Sequence, residues 1–138
     1  MAKQPHKHSG EHLTARTVLS KEAIAELAAA VVPLAHGNAW NSPGKVRFEH
    51  ASTGRLDFSV QAPGPFSMEL MTFALTIAEV GEITKIDIRV VDYKTRQQKY
   101  LGLVPVQSKK LLGLAAYRHF MSIFADGLED RDPTATYR

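Results

Sequence analysis

The chain has 138 residues and no cysteine, which excludes disulfides, thiolate metal sites and cysteine nucleophiles. Its hydrophobic fraction of 44% and charged fraction of 22% are typical of a single globular domain with one core. No apolar run is long enough to cross a bilayer as a transmembrane segment. The net charge of +3 falls short of the dense basic clustering that marks nucleic-acid binding, so we expect no nucleic-acid partner.

The first eleven residues are polar and predict a flexible leader. They lack the apolar core of a secretory signal, so we expect a cytoplasmic protein. His6, His8 and His12 lie in or beside this leader, without the closed four-ligand spacing of a structural zinc site. We therefore expect no bound metal and no cofactor.

A strand followed by a broken helix is predicted after the leader. Residues 12–19 alternate weakly between apolar and polar side chains, as a strand does. Ser20 can cap a helix whose apolar residues recur at three- and four-residue steps. Pro33 has no amide hydrogen, so it should bend or end that helix near Val32.

Five further antiparallel strands are predicted in the middle of the chain. Their alternation of apolar and polar residues is typical of strands with one buried face, and Gly54 and Gly81 lie in the two clearest turns. The predicted strands cover residues 46–49, 56–61, 66–80, 83–93 and 100–106.

A long apolar helix is predicted over residues 108–125, capped by Ser108. Its apolar arc is wider than that of an ordinary surface helix, which indicates that other elements enclose it. After Gly127 the sequence is polar, contains Pro133 and has no apolar period. Residues 129–138 are therefore predicted to form a flexible tail.

This order of elements resembles the helix-grip superfamily of START-like, polyketide-cyclase-like and birch-allergen-like proteins. The stretch FALTIAEV, GE, ITKIDIRVVDYKT and then YLGLVPVQSKKLLGLAAYRHFMSIF also looks like certain bacterial members. The resemblance implies an α+β fold in one domain, residues 12–128. A curved antiparallel sheet of five to seven strands would grip the C-terminal helix, with a broken helix near the N-terminus and an apolar ligand pocket between sheet and helix.

Seven residues are candidates for lining that pocket, and each also has a purely structural interpretation. The aromatic candidates can equally be packed core. Glu69 shares the parity of inward strand residues, but a bulge between Leu70 and Phe73 would return it to solvent. His119 lies at the edge of a polar strip, where it can be an ordinary surface histidine. The candidates are Phe58, Glu69, Phe73, Tyr117, His119, Phe120 and Ile123.

Three functions remain open from the sequence. The first is binding of an apolar or amphipathic small molecule between the sheet and the C-terminal helix. The second is a non-enzymatic interaction or homodimerisation module, because residues 66–77 carry apolar side chains on both parities. The third is a cyclase-like or hydratase-like enzyme, by fold analogy only. The sequence shows no arrangement of nucleophile and base, so we predict no catalytic residue and favour a protein without enzymatic activity.

Overall fold

The computed structural model describes residues 12–35, 44–62, 69–93 and 114–137. Within these ranges the chain forms six strands, two α-helices and one 3-10 turn. The elements are β1 (His12–Thr17), α1 (Lys21–Val31), the 3-10 turn (Val32–Leu34), β2 (Lys45–Ser52), β3 (Arg55–Gln61), β4 (Glu69–Val80), β5 (Ile83–Tyr93), α2 (Leu114–Arg131) and β6 (Thr136–Tyr137). The predicted leader, the predicted strand 100–106 and the predicted helix start at Ser108 lie outside the described residues.

The six strands form one antiparallel sheet in the order β2-β3-β4-β5-β1-β6. One face of this sheet shares a single apolar core with the buried sides of α1 and α2. The predicted α+β class is therefore confirmed, with an antiparallel sheet packed against a long C-terminal helix. None of the described helices combines the length and the hydropathy that crossing a membrane would require.

Apolar and polar side chains alternate along β4 and β5, the two longest strands, and this alternation distinguishes the two faces of the sheet. Leu75 pairs with Ile88, and both side chains are fully buried. The next pair along, Thr76 with Asp87, lies on the opposite face. Successive strand residues point to opposite sides, so this register places apolar side chains toward the helices and polar ones away from them. We call these the inner face and the outer face.

The predicted hairpin turns and the predicted break in the first helix are confirmed. Gly54 and Gly81 have φ angles of 72° and 66°, a left-handed conformation that glycine adopts without steric cost. At the start of α1, the Ser20 hydroxyl accepts a hydrogen bond from the Ala23 amide at 3.1 Å. The helix ends at Val31, and the chain continues as a 3-10 turn through Pro33.

The last helix continues beyond its predicted end at residue 125 and finishes at Arg131. Gly127 does not terminate it. A Cβ atom at this position would lie 2.7 Å from the Leu27 side chain, so the missing side chain lets α2 approach α1 closely. Gly127 and the polar residues after it predicted the end of the helix. In the structure the helix continues, and the glycine allows close packing of the two helices.

The prediction of a flexible tail from residue 129 is also corrected by the structure. Residues 129–131 complete α2, and β6 pairs with β1 through Thr136 opposite Arg16. The Tyr137 hydroxyl donates a hydrogen bond to the Ala125 carbonyl at 3.1 Å, which ties the strand back to the helix. The domain therefore extends to at least Tyr137, and we call residues 132–137 the C-terminal strap.

Candidate functional site

Four of the predicted pocket residues lie together between the sheet and α2. Phe58, Phe73, Tyr117 and Phe120 are all buried. Phe58 and Phe73 stack with ring centroids 5.1 Å apart, and Phe120 lies 5.0 Å from Phe58 and 5.1 Å from Phe73. The Tyr117 ring lies 4.9 Å from Phe73. These separations are those of aromatic side chains in direct contact, so a ligand among these rings would have to displace them.

The same contacts continue to a fifth and a sixth ring. Phe124 stacks on Phe120 at 6.2 Å, and Phe48 meets the edge of Phe58 at 5.8 Å. We call these six side chains the aromatic cluster. The Tyr117 hydroxyl donates to the Ile88 carbonyl at 3.5 Å, so its polar end is satisfied inside the core. The cluster has the character of packed core.

The other three predicted residues lie outside the cluster. His119 and Ile123 are half-buried on α2, and Ile123 packs against the margin of the core. Glu69 is half-buried at the start of β4, opposite Gln61. The β3–β4 register shifts there and leaves Leu70 as an extra residue. This bulge lies at the first residue of the interval Leu70 to Phe73 in which the sequence predicted one, and the β4–β5 register also shifts between Thr72 and Phe73.

A groove of about 380 Å³ lies at one end of the outer face, on the opposite side of the sheet from the aromatic cluster. Strand β1 and the residue after it, the end of β4, the start of β5 and the C-terminal strap all contribute to it. Its lining residues are Arg16, Thr17, Val18, Val80, Ile83, Lys85, Thr134 and Thr136. None of these residues is predicted from the sequence to belong to a site.

The floor of the groove is aliphatic and exposed. Val18 is 60% exposed, Val80 58% and Ile83 38%. Strand β1 stops pairing with β5 at Thr17 opposite Thr84, whereas the β4–β5 hairpin continues to the pair of Val80 and Ile83. The hairpin therefore projects past the end of β1, and no further strand in the described ranges covers its last pair. Apolar side chains grouped in a concave surface, with polar groups at the margin, are features of small-molecule sites.

Two positively charged side chains lie beside this floor. Arg16 on β1 and Lys85 on β5 are direct cross-strand neighbours, and both are exposed. The nearby carboxylate of Asp87 accepts hydrogen bonds from Arg89 Nε at 2.5 Å and from the Thr14 hydroxyl at 3.1 Å. Within the described part of the chain, neither Arg16 nor Lys85 has an ion-pair partner.

The C-terminal strap forms one wall of the groove, and the buried carboxylate of Asp132 fixes it in place. Asp132 accepts hydrogen bonds from the Thr134 hydroxyl at 2.5 Å, the Thr17 hydroxyl at 2.6 Å and the Val18 amide at 3.0 Å. These donors, Thr134 first and Thr17 second, lower the pKa of Asp132 to about 2. The ionised carboxylate thus joins the strap to the end of β1.

Metal binding has no support from the described ranges. They contain no group of three His, Asp or Glu side chains placed to hold a metal ion. His6 and His8 lie outside the described residues.

The edge strand β2 is a surface to which a second copy could add a strand, although the sequence predicted an interaction module from residues 66–77. Phe48 is 46% exposed there, and in the described ranges β2 pairs with β3 alone. However, the register shifts between Phe48 and His50, and the Val46 amide already donates to the Ala35 carbonyl at 3.4 Å. A bulge and an occupied amide interrupt the regular edge that strand addition requires.

Comparison with known proteins provides no functional assignment. No protein-family model and no curated protein matches the chain. A crystal structure of a protein from Rhodobacter sphaeroides, a Northeast Structural Genomics Consortium target, is 19% identical and covers 89% of this chain and 96% of its own. Its TM-score of 0.28 is too low to support a statement about fold or function. The resemblance to helix-grip proteins stays a prediction.

Proposed function

We propose that this protein is a non-enzymatic, cytoplasmic binding protein that holds an amphipathic small molecule in the outer-face groove. The observation that carries the proposal is the exposed aliphatic floor of Val18, Val80 and Ile83 inside a concave surface of about 380 Å³. Small-molecule sites are concave, mostly apolar and furnished with a few polar groups, and their volumes begin at about 300 Å³. The groove shares the concave shape, the apolar floor and the volume of such sites, and polar or charged side chains form its margin.

The groove supports ligand binding better than the space between the sheet and α2, where the sequence had placed the ligand. Around Phe73 the neighbouring ring centroids lie 4.9–5.1 Å away, so the rings already occupy one another's contact surface. Separating them would expose apolar surface and cost packing energy. In the groove, by contrast, a ligand would cover apolar side chains that are now in water, which is favourable.

The two alternative functions have less support. Dimerisation through β2 would have to accommodate the bulge near Phe48 and the occupied Val46 amide. A cyclase-like or hydratase-like enzyme would need its substrate among the aromatic cluster. There the Tyr117 hydroxyl, a potential acid, is engaged with the Ile88 carbonyl.

Displacement of an apolar dye by 1-octanol tests the proposal. The wild-type protein should bind Nile red at one saturable site from which 1-octanol displaces it. The double variant Val80→Thr/Ile83→Thr keeps a β-branched side chain at both positions but makes the floor more polar and slightly smaller, so 1-octanol should bind about fivefold more weakly. The matched control is Val91→Thr, because Val91 is 55% exposed and does not line the groove.

The outcomes separate the groove from other sites. Weaker binding in the double variant, with the Val91 variant unchanged, supports the proposal. Absence of saturable binding, or equal affinity in all three proteins, contradicts it. Circular dichroism of each variant confirms that a loss of binding is not a loss of fold.

A further inference from the structure

We infer that the ligand of this groove is a monomeric medium-chain carboxylate whose headgroup is held jointly by Arg16 and Lys85. This inference rests on the proposed function and goes further, because it specifies the chemistry of the polar end. Its basis is the cross-strand pairing of two unneutralised cations at the margin of an aliphatic floor.

The pairing of Arg16 with Lys85 is electrostatically unfavourable in the unliganded protein. Like charges directly opposite each other on neighbouring strands repel, because their Cβ atoms are about 5 Å apart. Elsewhere on this sheet, two exposed arginines lie next to carboxylates: Arg55 Nε contacts Asp57 at 2.9 Å, and Arg47 Nε lies 3.4 Å from Glu49. An anion between Arg16 and Lys85 would relieve the repulsion and supply the missing counter-charge.

Among the residues that the structure describes, the neighbours of this pair do not fill this role. Asp87 is the acidic residue two positions beyond Lys85 on the same face of β5, and its two oxygens are engaged by Arg89 and Thr14. On the other side of Arg16, the register partner is Thr136, an uncharged residue of the strap. An oxyanion can accept hydrogen bonds from a guanidinium and an ammonium at once, and such charge-assisted bonds are stronger than neutral ones.

The relative positions of charge and floor define the rest of the ligand. Val80 and Ile83 form the pair that ends the hairpin, and Lys85 is the second residue after Ile83. Two residues along a strand span about 6.6 Å, so headgroup and tail sites are adjacent. The floor crosses from β4 over β5 to the end of β1, and two strand spacings measure about 10 Å. A carboxylate with an unbranched chain of this length fits both parts.

The concave shape favours a dissolved ligand over a membrane surface. Thr134 and Thr136 of the strap stand at one side of the floor, and the Asp132 hydrogen bonds hold the strap there. A flat bilayer surface would contact the rim of such a groove more readily than its floor. A single amphipathic molecule can lie along the floor and meet both cations.

Comparison of octanoate with 1-octanol tests the inference. In a dye-displacement assay the wild-type protein should bind octanoate more tightly than 1-octanol. The double variant Arg16→Gln/Lys85→Gln should weaken octanoate binding about tenfold and change 1-octanol binding less than about twofold. The matched control Lys45→Gln/Arg55→Gln removes two cations from the other end of the strand order and should leave both affinities unchanged.

Each result distinguishes the inference from the proposed function. If 1-octanol binds and octanoate gains nothing from the two cations, the carboxylate inference is wrong and the groove function survives. If neither compound binds, both fail. Acetate measures headgroup binding alone, and affinity for it equal to that for octanoate would contradict a tail site. Binding to phosphatidylserine vesicles without octanoate binding would assign the patch to a membrane surface instead.

Discussion

The two faces of the sheet place apolar side chains in opposite situations. On the inner face, the Phe73 ring lies about 5 Å from three neighbouring rings of the sheet and the helix. At the end of the outer face, Val18, Val80 and Ile83 are exposed to solvent in the groove. The first arrangement contributes to the stability of the fold, and the second is free to contribute to binding. Apolar character alone therefore does not locate a ligand site.

Truncation of the buried Phe73 ring should have the largest effect on stability. Phe73 is buried and contacts Phe58, Tyr117 and Phe120, so Phe73→Ala should lower the free energy of unfolding by about 3–5 kcal/mol. Phe48→Ala is the matched control, because Phe48 is 46% exposed and should cost about 1 kcal/mol. Urea denaturation measures both. A similar, small loss in the two variants would contradict a packed inner face.

The sequence predicted the inner face well because its signals are local. Alternation placed Leu75 and Ile88 on the buried side, and turn glycines marked the hairpins that pair them. The aromatic residues were predicted as candidates for lining a cavity; they lie together, but their packing could not be deduced from the sequence. Whether Phe58, Phe73 and Phe120 touch or leave a void depends on distances of an ångström or two between elements.

The groove and the strap could not be predicted, because both depend on contacts between distant parts of the chain. Asp132 contacts Thr17 across 115 positions of sequence, and the polar composition around it looked like a tail. Likewise, Arg16 and Lys85 become neighbours only through the β1–β5 register. A usable signal existed in Val80 and Ile83, two β-branched residues flanking a turn where polar residues are expected.

Removing the charge of Asp132 should have an intermediate effect that depends on pH. The folded-state pKa is about 2, below the unfolded value of about 3.9. The ionised carboxylate therefore stabilises the fold above pH 4, and this contribution is lost as pH falls from about 4 to about 2. At pH 7, Asp132→Asn should lower the free energy of unfolding by about 1–2 kcal/mol.

The acid range provides the control for this prediction. Wild type and Asp132→Asn should converge in stability as pH is lowered toward 2, because the native carboxyl then becomes neutral as well. Chemical denaturation at pH 7, 4 and 2.5 measures the difference. A gap that stays constant over these three conditions would show that the charge of Asp132 does not hold the strap.

Reversing one charge in the groove should have the smallest effect on stability. Lys85→Glu replaces repulsion with attraction opposite Arg16, so it should stabilise the protein by about 0.5 kcal/mol. The gain should shrink in high salt, since exposed charges are screened. Octanoate binding should be lost in the same variant. If Lys85→Glu destabilised the protein, the pairing of Lys85 with Arg16 would not be unfavourable, and this prediction would be wrong.

Methyl NMR with octanoate tests the central claim, that the ligand lies on the outer face and not inside the sheet–helix core. With the valine and isoleucine methyl groups labelled, saturating octanoate should shift Val18, Val80 and Ile83. The methyls of Val60 and Ile88, which are buried on the inner face, should stay unchanged. Shifts concentrated at Val60 and Ile88, with the groove methyls unmoved, would contradict the account.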